Sequence, residues 1–111
     1  MREQNLYLSD ILHAIDSIDR FVADMTYEQF AADDKTSSAV VQKLEVIGEA
    51  AKGLSDDIRT KSPDISWKEM AGMRDRLIHA YFGIDYSLVW RTIKQRLPLV
   101  RERISVLLQN T

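Results

Sequence analysis

The sequence predicts an all-α protein: an antiparallel up-and-down bundle of four long helices joined by short helical turns. Three observations predict it. Every long segment repeats its apolar residues at helical spacing. No segment alternates with period two for long enough to make a strand. Gly and Pro together number six in 111 residues, too little turn chemistry for a many-stranded sandwich or barrel. With 45% apolar and 29% charged residues the composition is that of a folded chain, and residues 1–111 read as one domain.

The first helix is expected over about residues 4–25, because Leu8, Ile11, Leu12, Ile15, Ile18, Val22 and Met25 form one stripe. Asp10, Asp16, Asp19 and Arg20 fall off that stripe and meet water. Thr26-Tyr27-Glu28-Gln29 has the form of a capping box and starts a short helical turn. Asp34 or Thr36 caps the second long helix, over about 36–54, whose stripe is Val40, Leu44, Ile47, Ala51 and Leu54. Gly48 inside it costs about 1 kcal/mol relative to Ala, which points to close approach of a neighbour. Residues 55–62 read as a short helix or turn ending at Pro63.

Ser66-Trp67-Lys68-Glu69 forms a second capping box and opens the third helix, which runs to about Phe82 with Gly83 as its C-terminal stop. Asp85 caps the last helix, carrying Leu88, Val89, Ile93 and Leu97. Pro98 kinks it or restarts it as a first-turn residue, and Leu99, Ile104, Val106, Leu107 and Leu108 continue the apolar pattern.

Charge is divided along the chain. Residues 1–58 carry five Lys/Arg against twelve Asp/Glu, and residues 59–111 carry ten against five, within a net charge of −2. The basic second half allows phosphate binding, which needs a local positive surface and not a positive total. It is equally consistent with two segments that neutralise each other. Cysteine is absent, which removes disulfides, thiol nucleophiles and thiolate zinc sites. The two histidines, His13 and His79, fall on different helices, so no metal site is expected. Short apolar runs and an N-terminus without a signal-peptide pattern make a cytoplasmic protein with no membrane span the expectation.

The third helix holds the candidate chemistry. On an ideal helix Trp67, Met70, Ala71, Ile78 and Tyr81 share a face, with Arg74 in its middle. A guanidinium there must pair, snorkel or face a cleft. Glu45 and Glu49 of the second helix could supply the pairing carboxylate, as a structural ion pair or as an orienting group. His79 follows Arg74 by five residues and lies about 140° further round an ideal helix. Distortion of the last turn, reach of the arginine, or meeting of two chains could bring them together. An imidazole suits general acid–base work, although a lone histidine is as readily a plain surface residue. Tyr81, taken without any motif, reads as a core aromatic with a satisfied hydroxyl. Trp67 and Trp90 read as core in preference to stacking platforms. Arg91, Lys94, Arg96, Arg101 and Arg103 make the last helix basic, either to attract a phosphate-bearing partner or as a solvated face.

Arg74-Asp75-Arg76-Leu77-Ile78-His79-Ala80-Tyr81 resembles the R-x4-H-x-Y signature of HEPN-domain toxins of the HepT type. Val46 to Lys52, Trp67 to Met73, Tyr81 to Asp85, Val89-Trp90 and Leu97-Pro98 resemble the surrounding segments, so the likeness covers nearly the whole chain. Where such proteins often carry Asn after the motif arginine, this chain has Asp75. The resemblance implies a HEPN-like bundle and a homodimeric, metal-independent ribonuclease toxin without a cofactor. It implies that Arg74 binds and stabilises the phosphate and that His79 is the acid–base group, with Asp75 and Glu49 in support. It also implies a cognate MntA-type nucleotidyltransferase antitoxin that attaches AMP to Tyr81. The alternatives are a non-catalytic module that partners a nucleotidyltransferase and holds nucleotide, and a plain structural helical protein.

Overall fold

A computed structural model describes residues 3–79 and 83–110, with Ile78 and His79 described in their backbone only. Eight α-helices and one π-helical turn make up almost all of the described chain. The first, α1 (Gln4–Val22), ends where Ala23 turns to positive φ. Next, α2 (Tyr27–Ala32) starts on the expected capping box: Thr26 accepts from Gln29 N–H, and Gln29 accepts from Thr26 N–H. In α3 (Asp34–Gly53) the cap is Asp33, one residue before the expected position. The Thr36 backbone N–H and hydroxyl both donate to the Asp33 carboxylate, and these bonds hold its pKa below the ordinary value.

Gln4 clamps the start of α1 to the end of α3, donating to Gly53 O at 3.2 Å and accepting from Ser55 N–H at 2.7 Å, so the two helices run antiparallel. Short α4 (Asp56–Thr60) follows. The far side of the core is closed by α7 (Tyr86–Arg91), the π-helical turn Thr92–Arg96, and α8 (Leu97–Gln109). Asp85 caps α7 as expected, accepting from Leu88 N–H. Pro98 sits in the first turn of α8, so the helix restarts there. The π-helical turn immediately before Pro98 absorbs the register change that a proline without an N–H imposes.

One apolar cluster runs through the interior. From α1 it takes Leu8, Ile11, Ile15 and Ile18, from α3 Val40, Leu44 and Ile47, and from α7, the π-helical turn and α8 it takes Val89, Ile93, Leu97 and Ile104. Leu99 and Val106, expected to continue the stripe, are instead exposed. Trp67 is core, its indole N–H donating to Arg59 O and Ser62 O, and so is unavailable for stacking. The opposed charges of the two halves meet at the surface in one strong link: Arg101 Nε donates to Asp16 at 2.7 Å, a bond that raises the arginine's pKa. No helix is long and apolar enough to cross a membrane among the described residues.

The expected third long helix is the main departure. It breaks at Gly72 into α5 (Trp67–Ala71) and α6 (Met73–Leu77). Ser66 makes no side-chain cap bond, so the second capping box does not form. Glu69 is committed elsewhere: it accepts from Arg96 at 2.8 Å and lies 3.6 Å from Arg76. After Leu77 the chain becomes extended, and β1 (Ile78–His79) pairs antiparallel with β2 (Gly83–Ile84) in the register Ile78–Ile84 and His79–Gly83. These two short strands run against the expectation of none. Gly83 does take a left-handed φ of +78°, but inside β2 and not at a helix end. A helix stop and a hairpin make the same demand for positive φ, so glycine alone does not distinguish them.

Candidate functional site

Gly48 explains how the site is assembled. A Cβ at Gly48 would stand 3.2 Å from the carbonyl oxygen of Met70 and 3.5 Å from that of Ala71. The missing side chain therefore lets α5 rest its backbone on α3, which is the close approach expected for a glycine inside a helix. This contact fixes where α6 begins, and so where Arg74 emerges.

The break at Gly72 also resets the helical phase. Met73 and Leu77, four residues apart, now face the core, and Arg74 turns outward with its side chain 63% exposed. The expectation of Arg74 inside an apolar stripe is corrected accordingly, because it assumed one unbroken helix through residue 82. Arg74 borders a cleft between α3 and α6 lined by Glu45, Gly48, Glu49 and Lys52 on one side and Ala71, Arg74 and Asp75 on the other.

Within the cleft Arg74 is attracted but not bonded. Its Nε lies 3.8 Å from Glu45, and its Nη1 lies 4.0 Å from Asp75. Both exceed hydrogen-bond distance. Glu49 instead pairs with Lys52 at 3.3 Å. The carboxylate facing the arginine is therefore Glu45, with Glu49 one helical turn along the same α3 face. That face could be read from the spacing of Glu45, Gly48, Glu49 and Lys52 at i, i+3, i+4 and i+7. Asp75 points to solvent.

Arg74 differs in this from other arginines of the fold. Arg96, Arg101 and Arg103 each donate to a carboxylate at 2.7–2.8 Å, and Arg59 donates to Ala51 O at 2.9 Å. Arg74 makes no hydrogen bond of this kind among the described residues, so its planar fork of donors stays open to an incoming anion. Among its described lining residues, three carboxylates and two cations leave the cleft with one more negative than positive charge. A phosphate that enters therefore competes with the attraction of Glu45 and Asp75 for the guanidinium, not with a formed hydrogen bond.

His79 is placed by its backbone in β1, two residues beyond the end of α6. The 140° separation from Arg74 on an ideal helix does not apply, because the helix has already ended at Leu77. The wheel argument that placed Tyr81 beside Arg74 fails for the same reason, and Tyr81 itself lies outside the described residues. No group of three or more His, Asp or Glu that could hold a metal occurs among the described residues.

Comparison with known proteins places the chain in a family. The family described as "Ribonuclease HepT-like" matches residues 11–107. The chain belongs to the HepT-like ribonuclease family. A Thermococcus cleftensis protein named "Probable ribonuclease HepT" is 43% identical over 106 residues, covering 96% of both chains. A Methanocaldococcus jannaschii protein named "Putative RNase MJ0125" is 45% identical over 98% of this chain and 94% of its own. One from Caldanaerobacter subterraneus, named "Putative RNase TTE0752", is 38% identical over 98% of this chain and 97% of its own. No solved structure matches the chain.

Proposed function

We propose that this HepT-like chain is an endoribonuclease toxin that cuts RNA without a metal ion, with Arg74 and His79 as its catalytic pair. The observation that carries the reading is the open guanidinium of Arg74 at the α3–α6 cleft, in a chain that is homologous to named ribonucleases along its length.

Attack of an RNA 2′-hydroxyl on the adjacent 3′-phosphate requires a proton to leave the nucleophile and a proton to reach the departing 5′-oxygen. It also builds negative charge on the phosphorus oxygens. The His79 imidazole moves the protons, and the Arg74 fork stabilises the charge. Glu45 holds Arg74 extended until phosphate replaces it. Glu49 and Asp75 border the same cleft and set its potential.

The family resemblance supports the remaining parts of the proposal. The protein acts in the cytoplasm as a homodimer, and a cognate MntA-type nucleotidyltransferase neutralises it by attaching AMP to Tyr81. The dimer rests on that resemblance alone, since the divergence of Arg74 and His79 on one helix no longer argues for it. An adenylyl group on Tyr81 adds a bulky anion close in sequence to the arginine, where it competes with substrate phosphate.

The test is cleavage of RNA by purified protein in EDTA, with wild type and His79→Ala side by side. Cleavage by wild type and its loss in the variant are expected. Equal cleavage by both removes His79 from the mechanism, and binding without cleavage by either supports a non-catalytic module.

A further inference from the structure

The α6 helix has a second side. Arg74 and Arg76 are two residues apart, about 200° around a helix, so Arg76 faces away from the α3 cleft. On that side, between α5–α6 and the last helix, lies a separate cavity of about 340 Å³. Its floor is apolar and built from the buried side chains of Met70, Met73, Leu97 and Val100.

The mouth is charged. Glu69 takes a hydrogen bond from Arg96 at 2.8 Å, whereas Arg76 stands off at 3.6 Å. Arg96 bonds Oε2 of Glu69, and Arg76 faces the other oxygen, Oε1, beyond hydrogen-bond distance, so its donors can turn to an anion at the mouth. Both walls are places where regular helix fails. One wall is the pair of short helices broken at Gly72, and the other is the π-helical turn Thr92–Arg96. Departures of that second kind concentrate at binding sites.

We propose that this cavity receives a nucleobase of the RNA strand whose neighbouring phosphate lies at Arg74, with Arg76 holding the phosphate of the inserted nucleotide. The inference rests on the ribonuclease reading and assigns the cavity the choice of base beside the cut bond. The volume lies within the range of small-ligand sites. Two unbranched, polarisable methionines give a floor that adapts to a flat ring. A guanidinium with free donors at an apolar mouth suits a ligand that is flat and uncharged at one end and anionic at the other. With side chains a helix is about 10–12 Å across, a span that one or two nucleotides of single-stranded RNA cover from Arg74 to Arg76.

The test uses the whole protein and the methyl signals of its four methionines. Each of the four nucleoside 5′-monophosphates is titrated to millimolar concentration. Saturable shifts of Met70 and Met73, with Met25 unmoved, are expected for at least one of them. Leu99 lies at the mouth and is 36% exposed, so Leu99→Trp roofs the cavity from a position that the core does not need. That variant is expected to lose the shifts while keeping the wild-type melting temperature. In cleavage, an abasic residue at one fixed offset from the cut bond lowers wild-type kcat/KM about tenfold or more, and lowers that of Leu99→Trp no further. Cleavage without methyl shifts and without any dependence on base position overturns the cavity inference alone. Methyl shifts without cleavage overturn the ribonuclease reading and leave nucleotide binding in the cavity standing.

Discussion

The α1–α3 pair and the segment from Ser66 to Ile84 are built on opposite principles. The first is two long, regular helices whose apolar stripes are sealed against each other, and the buried Ser37 satisfies its hydroxyl by donating to Asp34 O within the helix. The second is four short elements in succession, broken at Gly72, extended after Leu77 and turned at Gly83. Its two arginines, Arg74 and Arg76, border separate clefts. The regular pair supplies the rigidity, and the irregular segment uses it: Gly48 is the one place where α3 gives up a side chain so that α5 can settle. Stability and chemistry are therefore expected to separate by region.

Substitutions can test that separation. The largest effect on stability is expected in the regular pair. Ile47→Ala removes a fully buried side chain and is expected to cost about 2–5 kcal/mol in chemical denaturation. Arg74→Ala removes only exposed, loosely paired contacts and is expected to cost under about 1 kcal/mol. A comparable loss in both would erase the contrast.

Gly48→Val probes the joint between the regions. A branched side chain against the Met70 carbonyl forces α5 off α3, with a stability loss of about 1–3 kcal/mol and a displaced Arg74. Activity is expected to fall further than the folded fraction does. A fall in strict proportion would mean that α5 does not position the site.

Asp75→Asn sharpens the electrostatic side. It removes one of three carboxylates at the cleft, and it is expected to tighten RNA binding about threefold at low salt, with the gain fading as salt rises. The smallest effect belongs to Asp33→Ala, at the cap of α3. Because hydrogen bonds from Thr36 depress the folded-state pKa of Asp33, its stabilisation is present above the unfolded carboxylate pKa and is lost as pH falls through the folded value. Melting curves are expected to show the variant below wild type at pH 7, with the gap closing below about pH 4. A gap that widens with acid would contradict the cap.

The same division decides how much could be read from the sequence. Periodicity and local capping chemistry suffice for the regular elements: the buried stripe of α1, the Thr26–Gln29 box, the Asp85 cap and the close approach at Gly48 all follow from spacing and residue type. They fail between Ser66 and Gly83 because tertiary partners decide there. Glu69 had the right spacing for a capping box, but it is drawn to Arg96, a residue 27 positions later. A pattern consistent with one helix was in fact two short helices out of phase, which moved Arg74 from an apolar face to solvent. The motif residues were legible as a constellation, through the family resemblance. Their geometry was not, since an ideal helix is the wrong frame for a segment that stops being helical at Leu77.

The central claim is that Arg74 is held open for phosphate and is not a structural ion pair. Single-turnover RNA cleavage by Arg74→Ala, corrected for folded protein, tests it most directly. The account predicts a fall of about a hundredfold or more, as expected when a donor to transition-state charge is removed. A rate within about twofold of wild type would contradict it.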